Sequence, residues 1–327
     1  MTTQASEARF VPPVGWRGEW LRRQPRTLIA WGLLAILLTI GFSMSSTFRQ
    51  GPVFEETLKS ATFIGIASAA QFFVVVGGGI DLSVGAVASL AAMVGASVMD
   101  GKDGHIALAL AAALGLGVGV GLVNGVLVNY LRIAPFIATF GVYYILTGIA
   151  FTWSVQPVGL ASPSFYNLYV DRWARIPALL VIMGVFWAVC WYVARQTAFG
   201  KHLYALGGDR EAARLAGVRT TRISIGSHVL CSTIAAAAGL LELTETSVGA
   251  PDLGATLLLA TVTAVVIGGV SLFGGEGSIV GVLGGVLVLQ FLSQLFDSLQ
   301  INALYQQLIE GLIIIGILGI YRQKARN

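Results

Sequence analysis

Charge is scarce in this chain. Asp, Glu, Lys and Arg make up 11% of its 327 residues, too little to clothe the surface of a soluble globular protein. Histidine is scarcer still: His105, His202 and His228 are the three residues of this type, and no H-E-x-x-H or Cys/His spacing links them, so no metal site is expected. The two cysteines, Cys190 and Cys231, fall in apolar stretches, where a thiol acts as a small hydrophobe and says nothing of redox compartment. No G-x-x-x-x-G-K-[ST] occurs, since Gly200-Lys201 is followed by His202, and there is no G-x-S-x-G elbow. These absences argue against a P-loop ATP site and a hydrolase. The chain is expected to be no enzyme and to need no cofactor.

What the chain has instead is apolar length. Hydrophobic residues account for 56% and Gly for 41 positions, and the mean hydropathy is +0.80. About 20 apolar helical residues cross a hydrocarbon layer, and ten stretches qualify: 27–44, 60–80, 82–99, 106–131, 133–153, 176–194, 223–241, 253–275, 277–296 and 303–320. None alternates with period two as a barrel strand does, so the expected fold is all-α, a polytopic helical membrane protein with about ten transmembrane helices. An even number of spans puts both termini on one side with the segment 195–222. That side collects 15 of the 20 Lys and Arg residues, which makes it cytoplasmic. The net charge of +4 is then a topology signal, and no nucleic-acid partner is expected. The chain reads as one domain: a cytoplasmic segment 1–26, a membrane domain 27–321 and a cytoplasmic tail 322–327. The polar residues ahead of the first span point to an uncleaved anchor, and Arg22-Arg23 to a topology determinant and not a twin-arginine signal.

Several polar and glycine positions stand out against this background. Gly77, Gly78 and Gly79 precede Asp81 and Ser83, a pattern that fits a capped turn between two helices or a broken helix lining a pathway. Gly117, Gly121 and Gly125 recur every four residues and predict close helix packing. Their neighbour Asn124 fits interhelical hydrogen bonding or a ligand for hydroxyl groups. The octets GGIDLSVG (78–85) and GGEGSIVG (274–281) echo each other, as internal repeats of transporters do. The segment 242–252 is expected outside the membrane, where Glu242, Glu245 and Asp252 either meet water or bind a sugar or a partner. Glu310, at helical spacing from Gln306 and Gln307, is expected to face the bundle interior.

Three segments carry a family resemblance. GGGIDLSVGAVASLAAMVGA (77–96), GLVNGVLVNYLRIAPFIATFG (121–141) and TAFGKHLYALGGDREAARLAGV (197–218) closely resemble the permease subunits of bacterial ribose-type simple-sugar ABC importers, in order across most of 27–320. Small departures exist, at Gly77, Lys201 and Asp209. The resemblance implies a pathway subunit in the bacterial inner membrane, with both termini cytoplasmic. Its partners would be a cytoplasmic ABC ATPase, a periplasmic sugar-binding protein and a second permease copy. It also implies an ATPase-coupling role for Gly208, Glu211, Ala212, Ala213 and Gly217, in which Ala212, Ala213 and Ala216 offer a small apolar face. Asp81, Asn124, Glu242 and Glu245 are the candidate pathway residues. The rivals are the same architecture importing a nucleoside or branched-chain amino acid, an ion-coupled secondary transporter using Asp81, Glu276 or Glu310, and a membrane enzyme whose catalytic cluster is not found.

Overall fold

The computed structural model describes residues 25–302 and, beyond them, residues 305, 308, 309, 311 and 312. Among these, seven helices are long and apolar enough to cross a membrane. They are α1 (Pro25–Met44), α2 (Gly51–Val76), α4 (Ile106–Asn129), α5 (Pro135–Trp153), α7 (Ala178–Gln196), α10 (Thr220–Thr246) and α12 (Ile279–Ser298). Two shorter apolar helices, α3 (Val84–Met99) and α11 (Leu257–Ile267), lie between them. The most apolar window of α2 is 89% buried, against 22–33% for α1, α4, α5 and α7. The central helix is therefore α2, and the other four form the periphery. Their exposed Leu, Ile, Val and Phe side chains suit hydrocarbon as their solvent.

The expected count of about ten is not reproduced. At 16 residues α3 rises about 24 Å, and α11, at 11 residues, rises about 16 Å, both short of a hydrocarbon layer about 30 Å thick. The expected span 253–275 is helical only over α11, because Pro251 and the glycines from Gly268 to Gly277 interrupt the chain on either side. Most of 303–320, including Gln306, Gln307 and Glu310, lies outside the described residues.

Segment 195–222 joins α7 to α10 through two helices, α8 (Ala198–Gly208) and α9 (Arg210–Leu215). Each begins on a side chain that accepts free amides: Thr197 Oγ1 from Gly200 N–H, and Asp209 Oδ1 from the N–H groups of Glu211 and Ala212. On the opposite side, the connection 154–177 holds a short helix, α6 (Pro163–Asn167), and a two-residue antiparallel pair, β1 (Arg172–Trp173) with β2 (Ile176–Pro177). Val158 also bridges to Gly249.

Glycine sets the closest approach in the bundle. A methyl group at Gly121 would lie 2.6 Å from the carbonyl oxygen of His228, one at Gly117 2.7 Å from that of Ser232, and one at Gly125 3.0 Å from Ile225 Cα. The three glycines thus bring the backbones of α4 and α10 together along one face, the packing device of helices in lipid.

Candidate functional site

A polar cluster is enclosed where α3 begins. Asp81, Ser83, Asn124 and His228 are each at most 2% exposed. Asp81 Oδ1 accepts the backbone N–H of Ser83 at 2.9 Å and its hydroxyl at 2.5 Å. Asn124 Nδ2 donates to Asp81 Oδ2 at 3.2 Å and to Ser83 Oγ at 2.9 Å. His228 Nδ1 stands 3.4 Å from Asp81 Oδ2 and donates to it in the tautomer with its proton there. Thr139 of α5 accepts the N–H of Leu82 at 3.0 Å, and its one hydroxyl proton is shared between the carbonyls of Pro135 at 2.9 Å and Ile80 at 3.2 Å. A carboxylate in an apolar bundle is costly unless donors surround it. Here Asp81, just before α3, is tied to α4 and α10, while the backbone of its neighbours Ile80 and Leu82 is tied to α5. Asp81 also holds the turn itself, while the side chain of Ser83 points to its neighbours and caps no amide.

A second polar line runs from this region to α9. Arg210 donates to Asn129 Oδ1 at 2.8 Å, and Asn129 Nδ2 donates to Ser224 Oγ at 3.0 Å and to the carbonyl of Gly125 at 2.9 Å. On α9 itself Ala213 is buried, whereas Ala212, Ala216, Gly217 and Leu215 are exposed, Leu215 by 74%. Glu211 is paired with Arg214 at 2.6 Å, which holds its carboxyl below the usual range. Gly217 ends the element at φ +85°, a left-handed conformation that glycine adopts without strain.

The two glycine-rich octets meet beside this surface. Gly275 N–H donates to the carbonyl of Val76 at 2.9 Å. A methyl at Gly274 would lie 2.8 Å from Gly78 Cα, and one at Gly275 2.6 Å from Gly208 Cα. Three breaks in regular structure, after α2, α8 and α11, therefore share one junction. Tyr204 of α8 fastens it by donating to the Gly277 carbonyl at 2.8 Å. Burial raises the pKa of that phenol, with the Arg195 charge offsetting part of the effect, so it stays a donor. Phe273 projects from the same junction, 82% exposed.

Glu242 and Glu245 do not lie on a loop, as expected, but in the last two turns of α10. Glu242 is half-buried and Glu245 exposed. Nearby, Lys59 bridges Glu55 at 3.6 Å and Glu56 at 3.5 Å and sits 4.6 Å from the centre of the Tyr169 ring, while Arg172 pairs with Glu55 at 2.8 Å. Among the described residues no group of three or more His, Cys, Asp or Glu is placed to hold a metal ion.

Residues 53–318 match the family model described as "Branched-chain amino acid transport system / permease component". The chain belongs to this permease family. Curated relatives share its length as well. It is 32% identical to the ribose import permease protein RbsC of Escherichia coli (strain K12) over 96% of this chain and 97% of that protein. The fructose import permease protein FrcC of Rhizobium meliloti is 32% identical over 86% of this chain and 81% of its own. The L-arabinose ABC transporter permease protein AraH of Azospirillum brasilense is 30% identical over 100% and 95%. No solved structure matches.

For this permease, sequence spacing singled out Asp81 and Asn124 but gave no sign of what surrounds them. His228 lies 147 residues from Asp81 and Asn124 41 from Ser83, separations that no helical or turn periodicity relates. The exposure of Leu215, at the end of α9, and of Phe273, in the turn after α11, has no signal in the sequence, since a single apolar residue makes no pattern. The structure brings Asp81 and Asn124 together and leaves Glu242 and Glu245 at the far end of α10.

Proposed function

We propose that this permease is the membrane-spanning subunit of an ATP-binding-cassette importer, through which a monosaccharide crosses the bacterial inner membrane after delivery by a periplasmic binding protein. ATP hydrolysis belongs to a separate cytoplasmic subunit, and the pathway forms with a second permease copy. One observation carries the reading: likeness over most of the chain to import permeases named for ribose, fructose and L-arabinose. The polytopic bundle without a P-loop agrees with it.

In this reading both termini, α8 and α9 face the cytoplasm. The segment containing Gly208, Glu211, Ala212, Ala213 and Gly217 couples the ATPase: Ala213 anchors α9 to the bundle, while Ala212, Leu215 and Ala216, with Phe273 nearby, present the apolar contacts a partner's groove takes up. Arg210 and Asn129 connect that surface to α4 and α10. Asp81 and Asn124 form a latch beside the pathway, holding the start of α3, and Glu242 and Glu245 line its outer mouth.

The test is reconstitution. The permease, its ATPase and its binding protein in proteoliposomes should take up at least one of D-ribose, D-fructose and L-arabinose when ATP is supplied on the ATPase side, without an ion gradient. The permease alone should hydrolyse none. Uptake of leucine or adenosine in place of every sugar would move the assignment to the rival substrates, and uptake driven by an ion gradient without ATP would sink the ABC reading.

A further inference from the structure

The central helix carries buried polar groups that the rest of the bundle does not satisfy. Ser68 and Gln71 of α2 are both 0% exposed. Neither the Ser68 hydroxyl nor either end of the Gln71 amide, Oε1 or Nε2, has a hydrogen-bond partner in the protein. Elsewhere among the described residues such atoms come one to a residue. A buried hydroxyl in a helix can return its proton to the carbonyl one turn back. Thr57 and Thr62 of the same helix do so, to Val53 at 2.8 Å and to Leu58 at 3.3 Å; Ser68 does not. A polar group closed off without a partner costs its whole desolvation penalty, and hydrocarbon offers nothing to offset it. Groups kept at such a cost call for a use.

Helical geometry puts them on one line. Positions 60, 64, 68 and 71 are spaced by four, four and three, so Ser60, Ile64, Ser68 and Gln71 share a face of α2. Burial along that face changes with depth. Ser60 and Ile64 are half-buried, and Ile64 is the single residue from 61 to 76 that is not buried; Ser68 and Gln71 are closed. By the helical rise Gln71 lies about 30 Å from Gly51 and about 8 Å from Val76. The closure is therefore in the inner third of the helix, next to the glycine junction.

The face is not the one that holds α7. Thr62 donates to Met183 Sδ at 3.6 Å, and a methyl at Gly65 would lie 3.3 Å from Met183 Cε. Those two positions are roughly 180° and 120° around the helix from Gln71. One side of α2 is thus closed by side-chain packing along its length, while another is partly open in its outer half and ends below in unpaired polar groups.

We infer that this second face of α2 lines the translocation pathway. It admits water at Ser60 and Ile64 and is sealed at Ser68 and Gln71 in this conformation. When transport opens it, the Gln71 amide hydrogen-bonds the hydroxyls of the passing monosaccharide. A sugar hydroxyl is both donor and acceptor, and an amide offers both as well, so Gln71 serves it in either sense. Because the polar pair is unsatisfied when closed, it also favours opening over a tightly sealed state. The ligand assigned to Gln71 rests on the sugar-import reading, which the experiment separates from the lining itself.

The permease lacking the buried Cys190 and Cys231 is assembled with its ATPase and binding protein in lipid nanodiscs. Cysteines are introduced singly and exposed to a charged methanethiosulfonate reagent. Ile64→Cys should react at rest. Ser68→Cys and Gln71→Cys should react about tenfold faster or more once ATP and loaded binding protein drive turnover. Ala69→Cys and Ala70→Cys, equally deep, 0% exposed and on other faces, should stay unreactive. No reaction at Ile64→Cys, no acceleration at Gln71→Cys, or equal acceleration at the two alanine positions would overturn the lining. A second measurement concerns the amide. Gln71→Leu removes two unpaired groups, so its thermal unfolding midpoint in detergent should equal or exceed that of the wild type. Its uptake of whichever of D-ribose, D-fructose or L-arabinose the wild type imports fastest should nevertheless fall by about tenfold or more. A lower midpoint with normal uptake would make Gln71 a structural residue and overturn its role, leaving sugar import standing. Import of none of the three sugars by the wild type, with Gln71→Cys still accelerated by turnover, would overturn sugar import and the ligand assigned to Gln71 while supporting the lining.

Discussion

Asn124 is the residue on which the enclosed cluster turns, since its amide reaches both the Asp81 carboxylate and the Ser83 hydroxyl. Asn124→Ala leaves the buried Asp81 with fewer donors. Side-chain hydrogen bonds between helices in membranes average well under 1 kcal/mol. Loss of two bonds around a buried carboxylate should cost more, about 1–2 kcal/mol, read as a lower thermal unfolding midpoint in detergent; an unchanged midpoint would mean that the cluster is not a latch. A glycine pair in the same helix gives a sharper contrast. A methyl at Gly121 would meet the α10 backbone, whereas nothing lies within 4 Å of one at Gly119. Gly121→Ala should destabilise by about 1–3 kcal/mol, while Gly119→Ala should be neutral or stabilise by up to about 1 kcal/mol through backbone entropy. Equal effects at the two sites would contradict the close approach of α4 to α10.

Helix α9 is only six residues long, so it cannot persist by propensity alone. Its cap at Asp209, the buried Ala213 and the Arg210–Asn129 hydrogen bond hold it against the bundle. This division of labour decides which substitutions report on docking. A charge at Ala213 would strike the helix's own support, but Leu215→Glu and Ala216→Glu alter side chains that already face out. Both should leave permease abundance in the membrane near normal and cut co-purification of the ATPase by about tenfold or more, since a charge in an apolar groove is left unpaired. Arg219→Gln is the mild control, as a solvated charge contributes little. Full retention of the ATPase by both Glu variants would remove α9 from the docking surface.

At the scale of the whole molecule, the distribution of basic residues predicts orientation. If both termini share a side, 15 of the 20 Lys and Arg fall on it, and single cysteines in place of Thr2, Arg210 and Ala325 should resist an impermeant thiol reagent in intact cells and react once the membrane is opened. Labelling of the Arg210→Cys variant in intact cells would invert the topology and place α9 away from any cytoplasmic ATPase. On that orientation the glycine junction of 77–79, 207–208 and 274–275, where three chain breaks meet, would share the cytoplasmic side with α9.

The apolar runs, the scarcity of charge and the bias of Lys and Arg by themselves established a polytopic helical bundle, because the cost of burying charge and backbone in hydrocarbon acts on each segment separately. Close packing at Gly117, Gly121 and Gly125 was legible for a similar reason, since a four-residue spacing is a property of one helix. What only the tertiary structure decided depends on pairs far apart in the chain. His228 reaches Asp81, Gly275 reaches Val76, and Gly254 descends to Ser89. The last of these makes the difference at Asp252, which in the sequence reads as the end of an outer loop. Hydropathy windows average over a Pro- and Gly-rich stretch and cannot tell a helix from a chain that enters the membrane unwound. Only the contact between Gly254 and Gly85 shows that the stretch carrying that carboxylate packs along α3.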